Sequence, residues 1–110
     1  MSALEFFRAG RPGGDYMEGN GYRLANWRPR VECSDGFTVS VQASRDHYCD
    51  PRTDEGPWTH VEIGFPSVQP EPWAEWEPYC ESPDRPTDTV YGHVPLEMVE
   101  ALVALHGGDR

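Results

Sequence analysis

Two stretches of the sequence alternate between apolar and polar residues, and this alternation constrains the fold more than any other feature. In residues 37–44 the apolar positions are Phe37, Val39, Val41 and Ala43. In residues 59–65 they are Val61, Ile63 and Phe65. A β-strand points successive side chains to opposite faces, so each stretch predicts a strand with one buried and one polar face.

Turn and helix signals around these strands complete the prediction. Ser34-Asp35-Gly36 favours a hairpin turn that joins residues 37–44 to an earlier strand within residues 22–33. Residues 89–94 predict a last strand, and Pro95 begins a predicted helix over residues 96–106 that ends at Gly107-Gly108. The apolar half of that helix is predicted to contain Leu96, Met98, Val99, Leu102, Val103 and Leu105.

The sequence therefore predicts one small α+β domain over residues 22–110. We expect a three- to four-stranded, mainly antiparallel sheet with the C-terminal helix packed on one face. Residues 1–21 are rich in glycine and predict a flexible N-terminal arm. With one long helix, the opposite sheet face is expected to meet water, a partner or a second copy of the chain. Its polar residues are Thr38, Ser40, Gln42, His60 and Glu62.

The charge of the chain is strongly negative and uneven. The sequence has 19 acidic residues and nine basic ones, all of them arginine, which gives a formal net charge of -10. Residues 31–110 hold 16 of the acids but only four arginines. Proteins that bind nucleic acid directly usually present a basic patch, so direct nucleic-acid binding is disfavoured. A basic protein surface is the favoured partner.

Cysteine content and hydropathy indicate the cellular compartment in which the protein is expected. The three cysteines, Cys33, Cys49 and Cys80, cannot all pair within one chain and lack C-x-x-C spacing. A reducing cytoplasm is the expected location. No stretch approaches the roughly 20 apolar residues of a membrane helix, so no membrane contact is predicted.

A series of short motifs runs from Glu32 to Gly108. They are Asp-Gly-Phe-Thr-Val-Ser-Val-Gln-Ala-Ser at 35–44, Tyr-Cys at 48–49, Pro-Arg at 51–52, Val-Glu-Ile-Gly-Phe-Pro-Ser at 61–67, Thr-Val-Tyr-Gly-His-Val-Pro at 89–95 and His-Gly-Gly at 106–108. Their order resembles a family of small, mostly uncharacterised proteins encoded by bacteriophages and prophages. The resemblance brings no catalytic residue. It implies an accessory protein in the host cytoplasm that counters host defence, such as an anti-CRISPR protein or a protein that sequesters signalling nucleotides.

The strongest candidate for partner binding is an acidic, aromatic segment. Its residues are Glu71, Trp73, Glu75, Trp76, Glu77, Tyr79 and Glu81. Spaced carboxylates can imitate the phosphates of a nucleic acid, and aromatic side chains can supply buried anchors. We therefore expect a non-enzymatic inhibitor of a host protein that has a basic, nucleic-acid-binding surface. In the alternative interpretation the tryptophans simply cover the sheet.

A second candidate is the polar loop that contains Arg45, His47, Tyr48 and Arg52. Two arginines beside a tyrosine could hold an anionic signalling nucleotide, with the guanidinium groups on phosphate and the ring stacked on the base. The alternative is that the arginines pair with Asp46, Asp50 or Asp54 and only shape the loop.

Metal binding and catalysis are not predicted. His47, Cys49, His60 and Cys80 are suitable ligand types without a familiar zinc spacing, so no metal or other cofactor is expected. His60 and Glu62, with Arg45, could in principle cleave a phosphodiester. Residues two apart are ordinary neighbours on a solvated strand face, however, and no phosphate loop, nucleophile elbow or H-E-x-x-H motif is present.

Overall fold

The computed structural model describes residues 3–10, 18–19, 22–23 and 28–110. In chain order the elements are α1 (Glu5–Ala9), β1 (Glu18–Gly19), β2 (Tyr22–Arg23), β3 (Val31–Glu32), β4 (Thr38–Gln42), β5 (His60–Gly64), α2 (Trp73–Trp76), a 3-10 helix (Glu77–Tyr79), β6 (Val90–Pro95) and α3 (Leu96–Leu105). β1 and β2 pair with each other. The main sheet is antiparallel, with the strand order β3-β4-β5-β6. The predicted α+β class, with a four-stranded sheet and a C-terminal helix, is confirmed.

The alternating residues of β4 and β5 build the inner face of the sheet. Val39, Val41, Val61 and Ile63 are fully buried, whereas the polar residues between them lie on the opposite, outer face. Val41 pairs directly with Ile63 across the two strands. The period of two in the sequence thus becomes one continuous apolar surface.

Helix α3 belongs to the same core. Its buried residues are Leu96, Val99, Leu102 and Val103. Met98 is only half-buried and Leu105 is 62% exposed, so the predicted apolar face was too wide. At 100° per residue these two lie roughly 110–130° from the centre of the buried stripe, which places them outside it. The helix ends at Leu105, one residue earlier than predicted, and Gly107 follows it with a positive φ of 92° and an N–H bonded to the Ala104 carbonyl at 3.0 Å.

The N-terminal residues contribute to the core. Leu4 and Phe7 are each 1% exposed, and the Phe7 carbonyl accepts a hydrogen bond of 2.8 Å from the N–H of buried Trp58. The prediction of a flexible arm over residues 1–21 therefore fails at Leu4 and Phe7. The spacing of three puts both on one side of a single helical turn, a pattern too short to stand out beside the glycines. Residues 1–2, 11–17 and 20–21 of that arm lie outside the described residues.

Both edges of the sheet are covered by other segments. At the β3 edge, Cys33 pairs with Asp109, and the Arg110 N–H donates to the Glu32 carbonyl at 2.8 Å. At the β6 edge, Cys80 pairs with Tyr91. Covered edges do not offer free backbone groups to a strand of another molecule.

The outer face is partly covered by the chain. Gln42 is only 8% exposed because its side-chain amide exchanges two hydrogen bonds with the backbone of Arg28, at 2.7 and 3.0 Å. The Glu62 carboxylate accepts a bond of 2.9 Å from the Tyr48 N–H, so the loop between β4 and β5 folds back over this face. An oligomer formed through the outer face, as the sequence suggested, stays a prediction. No helix in the described part of the chain is long and apolar enough to cross a membrane.

Candidate binding site

Residues 71–81, which we call the acidic ridge, form a short helical segment beside β6. The Glu71 carboxylate accepts a hydrogen bond of 3.1 Å from the Trp73 N–H. Pro72 lies just before α2, and Pro78 lies in the first turn of the following 3-10 helix. Proline fits there because the first turn of a helical segment needs no N–H from it.

The ridge is attached to the core by its tryptophans. Trp76 is 2% exposed and Trp73 is half-buried, and both meet the Tyr91 ring edge-on, at 6.0 and 6.4 Å between centroids. Burial raises the pKa of the Tyr91 hydroxyl well above its usual range. Trp76 therefore cannot contact a partner without leaving the core, which corrects its prediction as a binding residue. For Trp76 the alternative interpretation, in which the tryptophans cover the sheet, applies.

The carboxylates of the ridge face solvent. Glu71, Glu75, Glu77 and Glu81 are all exposed. Among residues 3–10 and 28–110, none of the four lies within salt-bridge distance of a basic group. The nearby Arg85 pairs with Asp88 instead. The negative charge of the ridge is thus not neutralised by the described part of the chain.

On the outer side of the ridge lies a cleft that we call the tyrosine groove. Its volume is about 440 Å³, and it is bounded by Tyr48, Pro78, Tyr79, Glu81, Gly92 and His93. Tyr48 comes from the loop between β4 and β5, whereas Tyr79 and Glu81 come from the ridge. The structure therefore joins parts of the two sites that the sequence predicted separately.

Gly92 and His93 hold Tyr48 in place, and the sequence analysis missed both. An added Cβ at Gly92 would lie 3.0 Å from the Tyr48 Cβ, so any larger residue would push Tyr48 aside, and glycine favours this close approach. The His93 N–H donates to the Tyr48 carbonyl at 2.9 Å, within an irregularity where Val61 pairs with Val94 but Ile63 pairs with Tyr91. Glycine inside a predicted strand is a known sign of a bulge or a close approach, and Gly92 carried that signal.

The other residues of the predicted nucleotide site make contacts within the loop and do not border the groove. Arg45 Nε lies 3.8 Å from Asp54 Oδ2, so the predicted alternative of pairing with a loop carboxylate is seen there. Arg52 Nε donates to the Arg45 carbonyl at 2.9 Å, and its guanidinium carbon lies 5.6 Å from the centre of the Tyr48 ring. His47 Nδ1 lies 2.7 Å from the Ser44 hydroxyl. These contacts shape the loop and leave no cluster of cations at the groove.

A carboxylate and two histidines meet near the groove. Asp50 Oδ2 lies 3.0 Å from His93 Nδ1 and 3.7 Å from His60 Nδ1. Of the other residues weighed for catalysis, Glu62 accepts a hydrogen bond from the Tyr48 N–H, and Arg45 approaches Asp54.

The cysteines weighed for metal binding have different structural roles. Cys49 is buried, its thiol donates to the Ser44 carbonyl at 3.1 Å, and burial raises its pKa. Cys80 pairs with β6 through its backbone. Within the described residues there is no group of three or more histidine, cysteine, aspartate or glutamate side chains that could hold a metal ion.

A smaller apolar groove lies on the other side of the ridge, facing α3. Its volume is about 210 Å³, with Trp76 and Leu102 among its walls. The exposed Leu105 and the half-buried Met98 border it from α3, and Glu75 borders it from the ridge. The ridge is therefore a charged strip that borders two grooves.

Comparison with protein-family models, with curated proteins and with solved structures gives no match for this chain. The resemblance to phage-encoded proteins that the motifs suggest stays a prediction. The function is accordingly inferred from the chemistry of the acidic ridge and the tyrosine groove.

Proposed function

We propose that the protein is a non-enzymatic binding protein that inhibits a host protein. Its acidic ridge covers a basic surface on which the target otherwise holds nucleic acid. In the setting implied by the motif resemblance, the chain is phage-encoded, acts in the host cytoplasm and has a defence protein, such as a CRISPR effector, as its target. The observation that carries the proposal is the row of exposed ridge carboxylates without basic partners in the described chain.

The construction of the ridge supports this role. A net charge of -10 attracts a basic partner over long range and raises the rate of encounter. Trp76 in the core and Trp73 half-buried fix the ridge before binding. A surface that is already ordered pays less conformational entropy on association than a flexible segment.

The nucleotide-sequestering alternative has less support. A site for an anionic nucleotide needs cations that face the ligand, whereas the tyrosine groove is bordered by the Glu81 carboxylate and not by Arg45 or Arg52. Calorimetry with cyclic and ADP-ribose-like nucleotides tests this alternative, and we expect no heat of binding.

The proposal is tested with two variants of equal charge. One is the ridge variant Glu71→Gln/Glu75→Gln/Glu77→Gln, in which the new amide side chain at position 71 keeps an oxygen acceptor for the Trp73 N–H. The control is Glu32→Gln/Asp46→Asn/Glu55→Gln, which changes three exposed acids outside the ridge. Each immobilised protein is incubated with nuclease-treated host lysate, and the retained protein is purified and assayed for nucleic-acid binding.

We expect the original protein and the control to retain the target and to displace its nucleic acid. The ridge variant is expected to bind at least about tenfold more weakly, which corresponds to about 1.4 kcal/mol. Equal retention by the ridge variant and the control would contradict the proposal. So would a target that keeps its nucleic acid when the protein is bound.

A further inference from the structure

We propose that the tyrosine groove receives one arginine side chain of the basic partner. This inference rests on the proposed function, because it names the side chain that the partner places beside the acidic ridge. Tyr48 and Tyr79 supply aromatic surface, and Glu81 supplies a carboxylate next to them. The volume of about 440 Å³ lies within the range of roughly 300–1,000 Å³ that is typical of ligand pockets.

The chemistry of these walls suits a planar cation. The face of an aromatic ring is electron-rich and attracts a guanidinium group placed over it. A carboxylate can accept two parallel hydrogen bonds from the same group. Arginine fits this combination better than lysine, because its planar fork both stacks on a ring and bonds the carboxylate, and because it is more weakly hydrated.

The chain already makes the same contact internally. The guanidinium carbon of Arg28 lies 4.4 Å from the centre of the Phe6 ring, and that of Arg52 lies 5.6 Å from the centre of Tyr48. Arg52 is not part of the groove wall, and its Nε is bonded to the Arg45 carbonyl. The remaining surface of Tyr48 is accessible, since 44% of the residue is exposed.

The groove is also held open before any partner binds. The backbone of Tyr48 is fixed by hydrogen bonds to the Glu62 carboxylate and the His93 N–H, both 2.9 Å long. Tyr79 is partly buried against the core within the 3-10 helix. A site whose walls are already ordered loses little conformational entropy when a ligand binds.

The charge around the groove disfavours an anion. Glu81 borders it, and Asp50 and Glu62 contact the groove residues His93 and Tyr48. The Arg52 guanidinium beside Tyr48 offsets only one of these three charges, so a phosphate placed there would still meet negative charge, which raises its free energy. A cationic side chain is therefore the favoured occupant.

The test is an NMR titration of the full-length, nitrogen-15-labelled protein with the peptide acetyl-Gly-Arg-Gly-amide. The matched probe is acetyl-Gly-citrulline-Gly-amide, which keeps the shape of arginine without its charge. We expect the arginine peptide to shift the amide signals of Tyr79, Glu81, Gly92 and His93. The citrulline peptide is expected to bind at least about fivefold more weakly, because it lacks both the cation–π attraction and the ion pair.

Two variants locate the binding. Tyr48→Leu keeps an apolar side chain but removes the ring, and Glu81→Gln removes the charge; each is expected to weaken the arginine peptide about threefold or more. Glu55→Gln removes an exposed charge outside both the ridge and the groove and is the control. Equal affinity for the citrulline peptide, signals that shift only away from the groove, or equal weakening by Glu55→Gln would overturn the inference.

The result is separable from that of the proposed function. If the peptides do not bind but the Glu71/Glu75/Glu77 variant still loses the target, the ridge proposal stands and the groove inference fails. If the arginine peptide binds the groove while the ridge variant retains the target fully, the groove inference stands and the proposed function fails.

Discussion

The substitution Phe7→Ala tests whether the N-terminal helix belongs to the folded core. Phe7 is almost completely buried, and its ring meets Phe6 and Trp58 edge-on, at 5.2 and 6.1 Å between centroids. Truncation of a buried phenylalanine to alanine costs about 3–5 kcal/mol, because apolar contacts are lost and a cavity remains. Domains of this size have a free energy of unfolding of about 5–15 kcal/mol. The variant is therefore expected to lose a large part of its stability.

Urea denaturation followed by tryptophan fluorescence measures this loss, and Trp58 reports directly on the contact. With a denaturant slope of about 1–3 kcal/mol/M, a loss of about 4 kcal/mol lowers the midpoint by roughly 1.3–4 M. The control is Arg8→Ala, on the same helix, whose partly exposed ion pair with Glu100 is worth only about 0–1 kcal/mol. If Phe7→Ala lowers the midpoint no more than Arg8→Ala does, α1 is not part of the core and the reasoning fails.

Two further perturbations give expected outcomes with simple readouts. Gly92→Ala should destabilise the protein by about 1–3 kcal/mol and weaken the arginine peptide, because the new methyl crowds Tyr48; an unchanged thermal midpoint would refute the close approach. The pKa of Asp35 is lowered in the folded protein by the hydrogen bond from the Phe37 N–H and by His106. The ionised Asp35 carboxylate therefore stabilises the fold above the unfolded Asp pKa of about 3.9, and this stabilisation is lost as the pH falls through the lower folded pKa. The stability difference between the original protein and Asp35→Asn should therefore shrink between about pH 6 and about pH 2.5, and an equal difference at both would exclude this role.

Local patterns in the sequence were sufficient to predict most of the fold. The alternation in residues 37–44 and 59–65 predicted β4 and β5 because burial on one face imposes a period of two. The prediction was wrong for Phe65, which lies after β5 and is 48% exposed. The helix after Pro95 was equally clear, since α3 is long enough to show its own period. Helix α1 was missed because five residues make little more than one turn, and only contact with Trp58 reveals why Phe7 is apolar.

The candidate site was predictable only in part. The exposure of the ridge carboxylates could be predicted from the residue types alone. The burial of Trp76, in contrast, depends on its contact with Tyr91, which is 15 residues away in the chain. The tyrosine groove requires Tyr48 to lie over Gly92, 44 residues later. Gly92 marks a bulge or a close approach, and the pairing between β5 and β6 is shifted there, but the local pattern does not indicate which distant residue lies against it.

In the acidic ridge, the atoms that anchor the segment and the atoms that meet solvent belong to different residues. Trp76 holds the strip to the sheet, while Glu75 and Glu77 on either side of it project outward. Exposed positions of this kind tolerate substitution within about 0.5 kcal/mol, so their identity is nearly independent of folding. The charge pattern at Glu75 and Glu77 can therefore change one residue at a time without compensating changes in the core.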